Sequence, residues 1–163
     1  MTISPYTVAA TAAALGGAAV GGLFFAFSTF VMRGLDRTSP AEAITAMRGI
    51  NAEAQANAPF LVMFFGSTLL AIAVGVLAAM RLREPGSGYL LAGAALVAVA
   101  AVVTMAFNVP LNDGLAAVDP ATLSASEVAM QWQSYFSAWT AWNHVRTIAP
   151  LLGAALLALG AAR

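Results

Sequence analysis

The residue types that this chain lacks narrow the functions it can have. It contains no cysteine, no lysine and one histidine, His144, and only 9% of its 163 residues are charged. Without cysteine there are no disulfides, thiolate metal sites or cysteine nucleophiles. Seven arginines balance seven carboxylates. We therefore expect no nucleic acid partner, because nucleic acid binding requires an excess of basic charge.

Apolar residues, in contrast, make up 61% of the chain, and they fall in four long stretches. These stretches predict membrane spans at about 6–31, 59–80, 89–107 and 138–162. The last must begin in a polar segment, because 148–162 alone would extend roughly 22 Å at a rise of 1.5 Å per residue, short of a ~30 Å hydrocarbon layer. The sequence predicts an all-α, integral membrane four-helix bundle, a single transmembrane domain in the lipid bilayer.

Four spans place both termini on the same side of the membrane as the 81–86 turn. We expect the first span to be a retained helix, because no basic residue precedes it and its apolar run exceeds that of a signal peptide. The arginines divide almost evenly between the two sides: Arg81, Arg83 and Arg163 against Arg33, Arg37 and Arg48. We expect a multi-pass protein of a bacterial inner membrane with cytoplasmic termini.

The two longer connections carry signals for helix starts. Ser39-Pro40-Ala41-Glu42 combines an N-cap serine with a glutamate three residues later, and Ser124 with Glu127 repeats this pattern. These signals predict short helices in connections 1–2 and 3–4, the first of them broken at Pro59. Asn51 on that helix either points into the bundle or lies in water at the interface.

Small residues predict close helix packing. Gly17 and Gly21 form a GxxxG pair in the first span, and Gly93 and Gly153 offer small surfaces on the third and fourth. These faces fit either a compact bundle or a bundle with a homodimer seam.

The segment 133–147 contains the richest set of polar residues. On a helical wheel, one face carries Gln133, Ser137, Thr140, His144 and Thr147, and the other carries Trp132, Tyr135, Trp139, Trp142 and Arg146. We expect the histidine face to point into the bundle and the aromatic face to form an interfacial belt, with Arg146 reaching toward water or stacking on the rings.

A second polar group follows the third span. Pro110 is expected to end or kink that helix, and Asn112-Asp113-Gly114 is typical of a turn. Asn108, Asn112 and Asp113 would then meet His144 at one rim of the bundle. There Asp113 would orient the imidazole or raise its basicity.

Four segments of the chain together resemble those of a known family. They are Phe24-Phe25-Ala26-Phe27-Ser28, Ile50-Asn51, Asn108-Val109-Pro110-Leu111-Asn112 and Trp142-Asn143-His144-Val145-Arg146-Thr147. On these segments the chain resembles, over nearly its whole length, the anthrone oxygenase-like family of small four-helix membrane proteins. The resemblance implies that an anthrone is oxygenated to an anthraquinone by dioxygen, without an obligatory cofactor.

That chemistry needs a base, donors for the enolate oxygen and an apolar slot. His144 is the expected base, Asn108, Asn112 and Asn143 are the expected donors, and Arg146 would stabilise the developing anion. The helical wheel disagrees with part of this assignment, because it places Arg146 and the tryptophans on the face of the helix opposite His144. Further substrate contacts are expected at Asn51, Asp113, Phe24, Phe27, Trp139 and Trp142.

Two other classes of function remain open at this point. His144 could serve as an axial ligand of haem or a ligand of copper with Met105 or Met130, although one histidine is a thin ligand set and no cofactor is predicted. Alternatively, the chain could be a non-catalytic membrane module that binds lipid, quinone or a partner helix.

Overall fold

The computed structural model describes residues 4–163, and within that range it contains helices and no strands. The five helices are α1 (Pro5–Leu35), α2 (Pro40–Ala56), α3 (Ala58–Ala79), α4 (Ser87–Ala116) and α5 (Ala125–Ala161). All except α2 are long and apolar enough to cross a membrane. The protein is therefore a multi-pass, all-α membrane bundle, as predicted.

The four long helices form a ring in which α1 and α4 lie diagonally opposite each other. Each of these two helices packs against both α3 and α5. The Arg81 guanidinium lies 5.5 Å from the centre of the Tyr6 ring, and the left-handed Gly86 lies against Gly160. The start of α1, the end of α5 and the α3–α4 turn therefore share one end of the bundle, which we call the terminal end.

Small residues hold the helices together along the part of the bundle that leads to the terminal end. A Cβ atom added to Gly93 would lie 2.7 Å from the Gly153 carbonyl oxygen, so α4 and α5 touch through their backbones. A Cβ on Gly21 would lie 2.7 Å from Leu151, and one on Gly17 would lie 2.9 Å from Val97. The GxxxG pair of α1 is therefore used within the chain, and a homodimer stays a prediction.

Helix α2 covers the opposite end, which we call the capped end. The predicted capping box forms, because the Ser39 hydroxyl accepts from the Glu42 backbone and Glu42 accepts from the Ser39 backbone. The predicted break at Pro59 is also confirmed: α2 ends at Ala56, and the Asn57 side chain caps α3. The apolar face of α2 is fully buried over α5, through Ile44 and Met47.

The second connection is shorter and less helical than the first. It contains one 3-10 turn, Pro120–Thr122, which begins at the side chain of Asp119. Ser124 and Glu127 then form the second predicted capping box at the start of α5.

The third span does not end at Pro110, and the turn predicted at Asn112-Asp113-Gly114 is absent. Helix α4 contains a π turn at Thr104–Asn108 and then continues as α-helix to Ala116. The π turn shifts the hydrogen-bond register, so that Pro110 falls in the first turn of the following α-helical segment. Proline is tolerated there, because its missing N–H would have no partner.

Helix α5 begins well before the expected start of the fourth span. Its 37 residues extend roughly 55 Å at the helical rise, whereas the hydrocarbon layer is about 30 Å thick. Helix α5 is therefore longer than one crossing of that layer requires, and its N-terminal part helps to build the capped end.

Candidate functional site

Most of the buried polar side chains lie toward the capped end, where α1 and α4 each contain one π-helical turn. The turns are Phe27–Val31 in α1 and Thr104–Asn108 in α4. A π turn adds one residue to a helical turn, redirects the side chains around it and is frequent at functional sites. Ser28, Thr104 and Asn108 lie on these turns, and all three hydrogen-bond to α5.

Asn143 lies at the centre of the site. It is 0% exposed, and its Nδ2 donates to the Phe24 carbonyl and to Ser28 Oγ, both at 2.8 Å. Its Oδ1 accepts from Arg146 Nε at 2.9 Å, and Arg146 Nη1 donates to Thr104 Oγ1 at 3.3 Å. The Asn143 amide therefore connects α1 to the guanidinium, which in turn reaches α4.

Arg146 is the only charged residue that is buried within residues 4–163, with 4% of its surface exposed. All seven carboxylates of the chain are exposed. The guanidinium carbon lies 4.3 Å from the centre of the Phe24 ring and 4.6 Å from that of Trp139. Cation–π contacts and neutral hydrogen bonds reduce the cost of burying this charge without neutralising it. The site therefore carries an uncompensated positive charge.

Ser28 is the junction between Asn143 and His144. Its Oγ lies 3.0 Å from His144 Nδ1 and 3.0 Å from Thr147 Oγ1, in addition to the contact with Asn143. The His144 residue as a whole is exposed on the surface of the bundle. The imidazole therefore touches the polar network through one nitrogen while the residue faces outward.

A second polar layer lies closer to α2. Asn112 Oδ1 accepts from Tyr135 Oη and from Trp139 Nε1, both at 2.9 Å. Asn51 Nδ2 lies 3.5 Å from Tyr135 Oη. The sequence left two locations for Asn51, inside the bundle or in water at the interface. In the structure Asn51 is buried inside the bundle, whereas Gln55 is exposed. The Asn112 carbonyl oxygen thus acts as an acceptor that holds two ring donors.

Asn108 has an atom that nothing in the described chain satisfies. Its Nδ2 donates to the Trp139 carbonyl at 3.2 Å, but its Oδ1 is buried without a hydrogen-bond partner. A buried unpaired acceptor costs free energy. Asn108 was expected to donate to an enolate, yet the atom that it leaves free is an acceptor.

The prediction of which face of α5 points inward is wrong for most of the residues on the wheel. Trp132, Tyr135, Trp139 and Arg146 are buried, whereas Gln133, Ser137 and His144 are exposed. Thr147, on the histidine face, is buried as expected. The aromatic face can be buried because its polar atoms find partners elsewhere in the chain: Trp132 Nε1, for example, donates at 2.8 Å to Oδ1 of Asp36, just after α1. The expected interfacial belt is thus part of the interior of the capped end.

The expected contact between Asp113 and His144 is also contradicted. Asp113 is exposed on the part of α4 that continues past Pro110, and the hydrogen-bond partner of the imidazole is Ser28. The error follows from the continuous α4, because a turn would have brought Asp113 back over the rim.

Three of the four expected aromatic contacts lie around the polar network. Phe24 packs edge-on against Phe64 with 5.9 Å between ring centres, and Phe27 lies 5.7 Å from Trp139. Trp142 is separate: it stacks on Phe107 at 3.6 Å. This pair lies in an open groove of about 290 Å³ between α4 and α5, lined by Ala106, Phe107, Pro110, Leu111, Ala138 and Trp142.

Metal ligands are sparse in the described part of the chain. Within residues 4–163, no group of three or more His, Asp or Glu side chains is placed to hold a metal ion. Met105 and Met130, the expected partners of His144 as a ligand, are both strongly exposed.

Sequence reasoning missed Ser28 and Thr104 as members of the site. Both are hydroxyl residues inside apolar spans, and polar side chains at membrane depth often have functional roles. That signal alone could have identified them. Their convergence on α5 depends on the two π turns, for which the sequence contains no clear sign.

These features define a small four-helix membrane protein with a buried, cationic polar site near one end of its bundle. The sequence model of the anthrone oxygenase family matches residues 60–156, which is more than half of the chain. The protein therefore belongs to the anthrone oxygenase family, and its function is of the anthrone oxygenase-like type. No match to a curated protein or to a solved structure was found.

The matched range contains nearly all of α3, the whole of α4 and most of α5, so it includes Asn108, Asn112, Asn143, His144 and Arg146. Ser28 and the whole of α2 lie outside it. The family match therefore covers the guanidinium and the imidazole, but not the hydroxyl that connects the imidazole to the network.

Proposed function

We propose that this protein uses dioxygen to oxygenate an apolar aromatic substrate with an acidic proton, of the anthrone or hydroquinone-like type. The family supports the reaction class. The observation that carries the proposal is the uncompensated charge of Arg146, buried beside amides, hydroxyls and aromatic rings.

A buried cation without a counter-charge favours an anion that forms during a reaction. Coulomb interactions are several times stronger in the low-dielectric interior than in water. A preorganised charge also needs no reorganisation when the anion appears. Deprotonation of an anthrone gives such an anion, delocalised over two aryl rings and the conjugated carbonyl.

The proposed reaction proceeds in three balanced steps. A base removes one methylene proton and leaves the carbanion. The carbanion transfers one electron to dioxygen, and the resulting substrate radical and superoxide combine to a peroxide on the same carbon. Loss of water from the protonated peroxide gives the quinone, so one anthrone and one dioxygen become one anthraquinone and one water. The substrate itself supplies the electrons, so this route needs no cofactor.

His144 is the proposed base. The imidazole is held through Nδ1 by Ser28, while the residue is exposed at the surface of the bundle, where a substrate dissolved in the membrane could reach it. Arg146 lies on the other side of the Asn143 amide and contributes its field through the interior. It stabilises first the carbanion and then superoxide.

The aromatic and amide residues have supporting roles in this proposal. Phe24 and Trp139 flank the guanidinium and exclude water from it. Asn143 holds the guanidinium and Ser28 in place, and Asn112 fixes the rings of Tyr135 and Trp139. Fixed partners of this kind keep a site preorganised.

Oxygen uptake by the protein in lipid nanodiscs, with an anthrone as substrate, tests the proposal. We expect His144→Gln to reduce turnover by about 10²- to 10⁴-fold, the usual contribution of general base catalysis. Ser137→Ala is the matched control, because Ser137 is also exposed and lies two turns earlier on the same helix. With ¹⁸O₂, we expect one labelled oxygen in the quinone.

Two results would contradict the proposal. Unchanged uptake in His144→Gln would reject the histidine as the base. A quinone without ¹⁸O would show that the protein does not transfer oxygen from dioxygen to this substrate.

A further inference from the structure

The three hydrogen bonds of the Ser28 hydroxyl, together with the one that Thr147 donates to the Asn143 carbonyl, can be satisfied in only one way when the imidazole is neutral. We infer that Ser28 and Thr147 fix the tautomer of His144, placing its hydrogen on Nδ1 and leaving the Nε2 lone pair free. Ser28 and Thr147 are thus positioning residues for the proposed base.

The argument starts at Thr147, whose hydroxyl has one hydrogen to donate. Thr147 Oγ1 lies 2.8 Å from the Asn143 carbonyl oxygen, which can only accept. The Thr147 hydrogen is therefore used in that bond. In its contact with Ser28 Oγ at 3.0 Å, Thr147 must accept, so Ser28 donates.

The single hydrogen of Ser28 is now also used. Asn143 Nδ2 donates to Ser28 Oγ at 2.8 Å and occupies one of its two lone pairs. The remaining contact, with His144 Nδ1 at 3.0 Å, must then be a donation from the imidazole to Ser28. A neutral imidazole with its hydrogen on Nδ1 has an unprotonated Nε2.

The catalytic consequence rests on the proposed function. Only the unprotonated Nε2 can take a proton from a substrate, and the hydrogen-bond chain keeps Nδ1 from serving that role. In the other tautomer, Nε2 carries a hydrogen and the exposed edge of the ring has no base. The Thr147 hydroxyl, whose hydrogen bonds go to Ser28 and to the Asn143 carbonyl, therefore controls which nitrogen is basic.

The tautomer can be measured without turnover, because His144 is the only histidine of the chain. Protein labelled with ¹⁵N in histidine, in lipid nanodiscs, gives one pair of ring nitrogen signals. On the alkaline plateau of the titration, we expect a pyrrole-type signal from Nδ1 and a pyridine-type signal from Nε2. The opposite assignment in the wild-type protein would overturn the inference.

Thr147→Val provides the sharpest variant, because valine keeps the shape of threonine without its hydroxyl. The Ser28 hydrogen is then free to donate to Nδ1, so we expect the two signal types to exchange between the nitrogens. In Ser28→Ala we expect the tautomer mixture of a free imidazole. A Thr147→Val protein that keeps its hydrogen on Nδ1 would overturn the role of Thr147.

The control is Thr29→Val, on the same π turn as Ser28. The Thr29 hydroxyl donates to the Phe25 carbonyl at 2.7 Å, within its own helix, so we expect the wild-type tautomer. The two proposals can fail separately. If the tautomer is as inferred but oxygen uptake does not depend on His144, only the function is rejected, and the reverse result rejects only the tautomer.

Discussion

The two ends of the bundle are held together by different physical means. Toward the terminal end, glycines and alanines let the backbones of α4 and α5 touch, and the contact between Gly93 and Gly153 leaves no space for a methyl group. At the capped end, large aromatic side chains surround amides, hydroxyls and one guanidinium. The first arrangement gives stability by close contact in lipid, where small residues favour helix association. The second keeps a charge buried at a cost.

The difference separates the residues that maintain the fold from those that serve the reaction. Packing residues should lose stability when they are changed and keep their activity per folded molecule. A buried charge without a partner should show the opposite behaviour, because its burial works against folding.

Among the changes that test this difference between the two ends, Arg146→Met is expected to have the largest effect, on activity. Methionine retains much of the volume and removes the charge, so we expect turnover to fall by about 10²- to 10³-fold, as for loss of a preorganised electrostatic contact. The free energy of unfolding should change by only about 1 kcal/mol or increase, because relief from burying the charge offsets the lost hydrogen bonds. Oxygen uptake and denaturant unfolding in the same nanodiscs measure both quantities.

The control for Arg146→Met is Arg33→Met, because Arg33 is an exposed residue of α1. This change should leave both the turnover and the free energy of unfolding unchanged. If Arg146→Met lost stability in proportion to its loss of activity, this arginine would be a residue that stabilises the fold. The proposed difference between the two ends would then be wrong.

An intermediate effect is expected on stability, in Gly93→Ala. The new Cβ would meet the Gly153 carbonyl oxygen at 2.7 Å, so the two helices must separate. Overpacking of this kind costs about 1 to 3 kcal/mol. Gly22→Ala is the matched control, because a Cβ there has no neighbour within 4 Å. Equal unfolding free energies for the two variants would show that α4 and α5 do not depend on this contact.

The smallest expected effect lies in the capping box of α2. Hydrogen bonds from the side chain and the backbone of Ser39 lower the pKa of Glu42 below its ordinary value of 4.5. The contribution of this box to stability is therefore complete above pH 4.5 and is lost as the pH falls through the lowered pKa of the folded state. Amide exchange in the first turn of α2 should accelerate on acidification in this window.

Glu42→Gln separates this titration from the rest of the chain, because glutamine keeps an acceptor oxygen but does not ionise. Its first turn should show no acid-dependent opening in that window. Acid-dependent opening of equal size in Glu42→Gln would place the titrating group elsewhere.

The sequence predicted the features of the fold that depend on composition and local signals. Four apolar stretches gave four long helices, and the serine and glutamate pairs at 39 and 42 and at 124 and 127 formed capping boxes as expected. These features need no knowledge of neighbouring helices, because each rests on chain length or on contacts within one helical turn.

The site was predicted less well, because it depends on partners from several helices. Trp139 was placed in a belt because indole rings favour the membrane interface. In the structure, its N–H finds the Asn112 oxygen on α4, and this contact makes burial favourable. The continuation of α4 past Pro110 required a π turn, and that turn carries Asn108 and Thr104 into the site. Nothing local in the sequence specifies that register change.

The central claim, that the capped end stabilises an anion with an uncompensated cation, is tested most directly by the ionisation of a bound aromatic ligand. A hydroxyanthraquinone changes its absorption spectrum when its hydroxyl group ionises, so its pKa can be measured in nanodiscs with and without the protein. The account predicts a lower pKa of the ligand with the wild-type protein, because Arg146 favours the anion. It predicts no such shift with Arg146→Met. A ligand that binds both proteins with the same pKa as in protein-free nanodiscs would contradict it.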